Sequence, residues 1–212
     1  MSRVDRNALV EGLNKLGLQP TETMVDQLVQ FGSLLLRWNK VYNLTAIRNE
    51  YDVLTHHLLD SATLVPFVEK MNPEAKKVLD VGSGGGLPAI PLAILRPDLS
   101  VTAVDAVAKK TAFLTQAGIE LGLKNFKAVH ARVEKMNGSY DIISSRAFAS
   151  LEDFTDWTQA LLAEDGYWLA MKGNIPNDEL KSLEKAVKVQ EIFPLHVPDL
   201  EEERHLVVMT KS

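Results

Sequence analysis

At 212 residues the chain has room for one α/β domain and an appendage but not for two enzymatic domains, so a single active site is expected. Apolar residues make up 46% and charged residues 24%, which excludes extensive disorder and fibrous repeats and allows a sizeable core. With no cysteine there is no disulfide, thiolate zinc site or thiol nucleophile, and a net charge of −5 means that any contact with a polyanion must be a local basic patch.

The first eighteen residues, MSRVDRNALVEGLNKLGL, place acidic residues among apolar ones without a continuous apolar stretch. They read as neither signal peptide nor membrane span, so a cytoplasmic monomer with no membrane association is expected. Residues 1–75 read as a helical extension. Met24, Val25, Leu28, Phe31, Leu34, Leu35 and Trp38 recur at three- and four-residue spacing and predict an amphipathic helix over 21–38. Thr21 is a partial N-terminal signal, because Met24 stands where a capping box would have Glu. A loop over 39–49 and a second helix over 51–71 follow, ended near Asn72-Pro73.

From Lys76 the rhythm changes to strands alternating with helices, as in a mostly parallel sheet covered on both faces. Strands are predicted near 77–81, 100–105, 125–130, 140–145, 165–172, 189–197 and 204–211, with helices near 88–96, 109–122, 150–163 and 178–188. Only Pro198 to Glu203 separate the last two strands, which predicts an antiparallel hairpin at one sheet edge. The acidic run Glu201 to Glu203 reads as a solvated turn.

The strongest motif is Val78-Leu79-Asp80-Val81-Gly82-Ser83-Gly84-Gly85-Gly86-Leu87-Pro88, an apolar strand running into a glycine turn and a helix opened by proline. Alone, such a turn could be a tight connection. Nineteen residues after Gly86, at the end of the next strand, stands Asp105, where a carboxylate can accept hydrogen bonds from both ribose hydroxyls of a nucleoside cofactor. A nicotinamide-binding turn would need glycine where Leu87 stands. The G-x-G-x-G form suits a cofactor without a pyrophosphate, namely S-adenosylmethionine. His130-Ala131-Arg132-Val133-Glu134 follows the third strand, where such folds hold adenine, although an ordinary strand-end loop would look the same. The fourth strand ends in Ser145-Arg146-Ala147-Phe148. Because ligand crevices open at the carboxyl ends of strands, Arg146 reads as a cofactor or substrate contact, with a surface ion pair as the competing reading.

The acceptor atom is narrowed by elimination. Covalent methylation of pyrimidine carbon 5 needs a cysteine. Methylation of an exocyclic adenine amine usually employs an Asn/Asp-Pro-Pro-aromatic turn where this chain has Ser-Arg-Ala-Phe. A ring nitrogen such as guanine N7 has a free lone pair and loses no proton, so alignment and electrostatics suffice. In the extension, His56 and Asp60 are one helical turn apart, but two candidate ligands do not make a metal site, and no metal is expected. Asn43 and Thr45 read equally well as caps, and Trp38 and Tyr42 read first as core.

Together these clusters resemble the bacterial 16S ribosomal RNA guanine-N7 methyltransferases, also known as glucose-inhibited division protein B, over nearly the whole chain. The resemblance rests on Trp38-Asn39-Lys40 with Tyr42-Asn43-Leu44-Thr45, His57-x-x-Asp60-Ser61, Asp80-Val81-Gly82-Ser83-Gly84 with Leu87-Pro88, Arg132-Val133-Glu134, Ser145-Arg146-Ala147, and Glu203-Arg204-His205-Leu206-Val207-Val208. Ala89 stands where the family usually has glycine. The resemblance implies a class I S-adenosylmethionine-dependent methyltransferase of the α/β class: a Rossmann-like, seven-stranded, mostly parallel sheet with an antiparallel terminal hairpin, in residues 76–212, behind the N-terminal helical extension.

It further implies methyl transfer to N7 of a guanine in the decoding region of 16S rRNA, within the small ribosomal subunit or its assembly intermediates. Implied cofactor-side residues are Asp80, Gly82, Gly84, Leu87, Asp105, Val133, Glu134 and Arg146. Implied substrate-side residues are Arg146, Lys172, Arg204, Asn43 and His57, with a solvated charged surface as the plainer reading of the lysine and Arg204. A small-molecule methyltransferase and a binding module without turnover share the same cofactor half-site, because fold does not choose the acceptor.

Overall fold

The structure is a computed structural model that describes residues 4–212; the expected extension begins at Met1, and residues 1–3 lie outside the described residues. The extension opens with α1 (Arg6–Lys15), whose first turn is capped by Asp5, its carboxylate accepting from Ala8 N at 3.0 Å. In α2 (Glu22–Tyr42) the Thr21 hydroxyl accepts from Met24 N at 3.3 Å, and Val25, Leu28, Phe31 and Leu35 form a buried stripe. This helix runs past Trp38, where the sequence predicted its end, because nothing between Asn39 and Tyr42 breaks it. It stops when Asn43 takes a left-handed conformation at φ 49°.

The second expected helix, over 51–71, is divided. Its parts are α3 (Glu50–Asp52), a π-helical segment Val53–Leu59, α4 (Asp60–Ala62) and, after a turn, α5 (Val65–Met71). Pro66 stands at the start of α5, where its missing N–H costs nothing and its ring would obstruct a continuous helix.

The sheet has the order β3-β2-β1-β4-β5-β7-β6. Parallel pairing joins β1 (Lys77–Val81) to β2 (Ser100–Asp105) and β4 (Tyr140–Arg146), β2 to β3 (Phe126–His130), and β4 to β5 (Leu162–Lys172). The terminal hairpin inserts β7 (His205–Lys211) antiparallel between β5 and the edge strand β6 (Val187–Pro194). Successive residues of β1 feed opposite cores: Val78 belongs to one apolar cluster, Leu79 and Val81 to the other. On the first face lie α6 (Ala89–Leu95) and α7 (Ala108–Glu120), against which α2 and α4 pack. Thus the extension shares its core with the sheet domain, Phe113 of α7 lying 6.4 Å from Phe31 and 5.5 Å from Trp38 between ring centroids. The second face carries α8 (Leu151–Thr158) and α9 (Asn177–Lys181).

Two expected helices are shorter than the sequence suggested. The helix over 150–163 ends with α8 and a 3-10 turn, Gln159–Leu161, because β5 already pairs Leu162 with Tyr140 before the register shifts at a bulge. The helix over 178–188 stops at Lys181, because Val187 and Val189 are drawn into the ladder with β7.

Candidate active site

The glycine turn begins where β1 ends, and Val104 O of β2 accepts from Gly82 N at 2.9 Å and Ser83 N at 3.2 Å. Gly82 and Gly84 have φ of 65° and 55°, conformations that L side chains rarely adopt. A Cβ at Gly82 would come within 2.0 Å of the Phe148 ring, whereas one at Gly84 would meet nothing nearer than 3.8 Å. Gly84 therefore offers bare backbone to open space. Its N–H donates to Asp105 Oδ2 at 3.0 Å, and Val107 N donates to Oδ1 at 2.8 Å. A carboxylate has about four acceptor sites, so Asp105 keeps capacity for a diol after fixing both turns.

Asp80 lies behind this surface with no exposure; Ser83 Oγ donates to its Oδ2 at 2.6 Å and Ser144 Oγ to its Oδ1 at 2.8 Å. Burial pushes its carboxyl up to about 7, against the opposing pull of the Ser83 and Ser144 hydrogen bonds. Leu87 is buried beneath the turn. A cleft of about 440 Å³ brings together Gly82, Asp105, Val133 and Glu134, and Ala147, Phe148 and Trp157 also line it. Its size suits a small-molecule ligand, and Glu134 and Phe148 are exposed there. The structure therefore gathers four of the eight expected cofactor-side residues in the cleft, holds Gly84 against Asp105, and sets Asp80 and Leu87 behind the turn.

Arg146 joins a second constellation. Its Nη1 donates to His56 O at 2.8 Å and pairs with Asp60 Oδ2 at 2.9 Å, while Nη2 approaches His57 Nδ1 at 3.2 Å. Nδ1 also lies 3.0 Å from the carbonyl acceptor His56 O, so its two contacts ask for opposite tautomers, and Nε2 lies 2.7 Å from Thr45 Oγ1. Burial first, and the Arg146 charge second, push His57 down to about 3, so the imidazole is neutral at physiological pH. Asp60 is 2% exposed, and Arg204 Nε approaches its Oδ1 at 3.2 Å outside hydrogen-bond geometry. Arg204 also pairs with Glu202 at 2.9 Å, and Glu202 accepts from His56 at 3.0 Å. The π-helical segment thus turns His56 and His57 to opposite partners, one on the hairpin and one on the loop after α2.

The remaining substrate-side residues are placed with equal definition. Asn43 caps α2, its side chain accepting from Arg48 Nη2 at 2.8 Å. Lys172 donates to Ala149 O and pairs with Glu179, both at 2.9 Å. Sequence reasoning left Trp157 out of the site; it sits on α8, and its only signal was the apolar spacing of an ordinary amphipathic helix. A larger groove of about 750 Å³ along α2 is lined by Arg6, Asp26, Arg37 and Glu120, charges that already pair with one another or with Glu22.

The family model for GidB, rRNA small subunit methyltransferase G, matches residues 24–207. The chain belongs to this family. A ribosomal RNA small subunit methyltransferase G of Neisseria gonorrhoeae is 49% identical over 212 residues, covering 100% of both chains. One of an Acidovorax species is also 49% identical, over 93% of this chain and 92% of the relative. Among solved structures, magnesium protoporphyrin IX methyltransferase from Synechocystis PCC 6803 with bound SAM superposes with a TM-score of 0.62 at 14% identity, over 83% of this chain and 90% of that one. At that identity it shows the fold alone. The cleft and the Arg146 network lie at the carboxyl ends of the parallel strands, beside the extension and the hairpin. Among the described residues, no helix is long and apolar enough to cross a membrane.

Proposed function

We propose that this methyltransferase G family member transfers a methyl group from S-adenosylmethionine to N7 of a guanine in the decoding region of 16S rRNA, in the small subunit or its assembly intermediates. The observation that carries the cofactor half of this reading is Asp105, a carboxylate at the end of β2, fixed by Gly84 N and Val107 N, that lines a cleft with Gly82, Val133 and Glu134; the acceptor half is supported by the match to the rRNA small subunit methyltransferase G family.

In this reading Asp105 accepts from the ribose hydroxyls, and the backbone of Val133 and Glu134 borders the adenine. Gly84, open above its backbone, admits the amino-acid end, and Gly82, which lines the cleft, keeps room for the Phe148 ring. Asp80 and Leu87 act from behind, holding the turn in shape. When bound, the cofactor supplies a sulfonium-activated methyl group. A guanine N7 acceptor would offer a free lone pair to that methyl group and lose no proton, so the chain would need no general base. The chain's task is then to orient two ligands and exclude water, which agrees with a neutral His57 and with Arg146 held by Asp60. Residues 1–75 would serve as the acceptor-side extension and 76–212 as the cofactor-binding domain, with Asn43, His57, Lys172 and Arg204 in the surrounding wall.

The test is incorporation of labelled methyl from S-adenosylmethionine into small subunits and, separately, protein-free 16S RNA, both from cells lacking the enzyme. Incorporation into either supports the reading. Measurable cofactor binding without incorporation would move the acceptor to a small molecule or remove turnover altogether.

A further inference from the structure

The turn after β4 is held at both ends and presents an aromatic ring between them. At its entry Arg146 is bound to His56 O and Asp60. At its exit Lys172 donates to Ala149 O, and Glu179 accepts from both Lys172 and Leu151 N. Between these clamps Ala147 has φ 49°, a left-handed conformation that a β-carbon disfavours and that persists only when its surroundings impose it. The residue so presented is Phe148, 36% exposed in the lining of the cleft, with its ring against Gly82 and in edge contact with Trp157 at 5.9 Å.

We infer that Phe148 is the stacking platform for the acceptor purine, and that Arg146 and Lys172 are positioning residues that aim its ring. Packing on Gly82 and Trp157 still leaves 36% of Phe148 open to solvent. A π-face fixed beside a methyl-donor cleft orients a base sequence-independently and leaves its N7 edge free for the incoming methyl group. The edge contact with Trp157 leaves a face of Phe148 available, as a stacking surface requires. The inference rests on the RNA-methylating reading above and names the side chain that would hold its substrate.

The experiment compares wild type with Phe148→Leu, Phe148→Trp and Phe148→Ala on the RNA substrate that the wild type methylates, measuring kcat, KM and, by equilibrium binding, S-adenosylmethionine affinity. Phe148→Leu keeps the bulk and loses the π-face. It is expected to lower kcat/KM for RNA on the order of ten- to a hundredfold, the range that one lost base–aromatic stack corresponds to, with cofactor affinity unchanged. Phe148→Trp is expected to restore most of that loss. Full activity in Phe148→Leu, or an equal loss of cofactor affinity in Leu and Ala variants, would reduce Phe148 to packing and overturn the inference. Absence of RNA methylation by the wild type would instead defeat the reading on which it rests, together with the inference.

Discussion

In the proposed reading individual residues divide into those that face a ligand and those that hold the facing residues still. Asp80 belongs to the second group. Its folded value, about 7, lies above the ordinary 3.8, so its contribution to stability is complete below pH 3.8 and is lost as pH rises toward 7. Asn at this position keeps one acceptor for a serine hydroxyl and donates to the other serine. Urea denaturation should therefore show Asp80→Asn gaining on wild type between about pH 4 and 7; a pH-independent difference would contradict the buried carboxylate. His57 has the opposite sign: its folded value of about 3 lies below 6.5, so the stability of the neutral ring is complete above pH 6.5 and is lost as pH falls toward 3. In His57→Gln that acid-sensitive component should vanish from the same measurement. Asp105 belongs to the first group in the proposed reading. Asp105→Asn is expected to weaken cofactor binding by roughly ten- to a hundredfold, the worth of charge-assisted hydrogen bonds, because an amide has one acceptor where Gly84 N, Val107 N and a diol ask for more. Unchanged affinity by calorimetry would remove the ribose assignment.

Among the elements, the strand–glycine turn–helix unit and the terminal hairpin were legible because their signals are local: an apolar run, positive-φ glycines, a proline, a short connection. The π-helical segment was not, since His56-His57 carry no periodicity that distinguishes a wider turn from an α-helix, and the segment is stabilised by contacts far away in the chain. The same holds for Asp60, whose one-turn spacing from His56 made no metal site and pointed to no other partner, and which in the fold is the counter-ion of Arg146 and Arg204. Lys172 and Arg204 were recognisable as important cations, but their partners Glu179, Glu202 and Asp60 come from separate elements, so the sequence left their internal pairing open. Such π segments often mark functional sites, and here one ties α4, β4 and the hairpin through a single buried carboxylate. Asp60→Asn, of equal shape, is expected to destabilise the fold by about 2–4 kcal/mol, since removing one partner of a buried pair strands the others, less where the guanidiniums remain a fifth exposed. An unchanged urea midpoint would mean that the network contributes nothing to holding these elements together.

At the scale of the whole molecule, the cofactor half and the acceptor half were unequally readable. The sheet and its cleft belong to an architecture shared with methyltransferases of unrelated acceptors, so they identify a half-reaction and not a substrate. The extension packs on α6 and is joined to α7 through Phe31, Trp38 and Phe113, and it delivers Thr45, His57 and Asp60 to the carboxyl end of β4. An overall charge of −5 means that phosphate attraction alone cannot supply the affinity, and recognition is expected to depend on shape and on the base itself. The central claim is therefore the acceptor atom. The most direct measurement is chemical scission at N7-methylguanine in 16S RNA from cells lacking the enzyme, after complementation with wild type or with Asp105→Asn. A single cleavage in the decoding region, present with wild type and diminished with the variant, is the expected result; a methyl group at another atom, or no change on complementation despite cofactor binding, would contradict it.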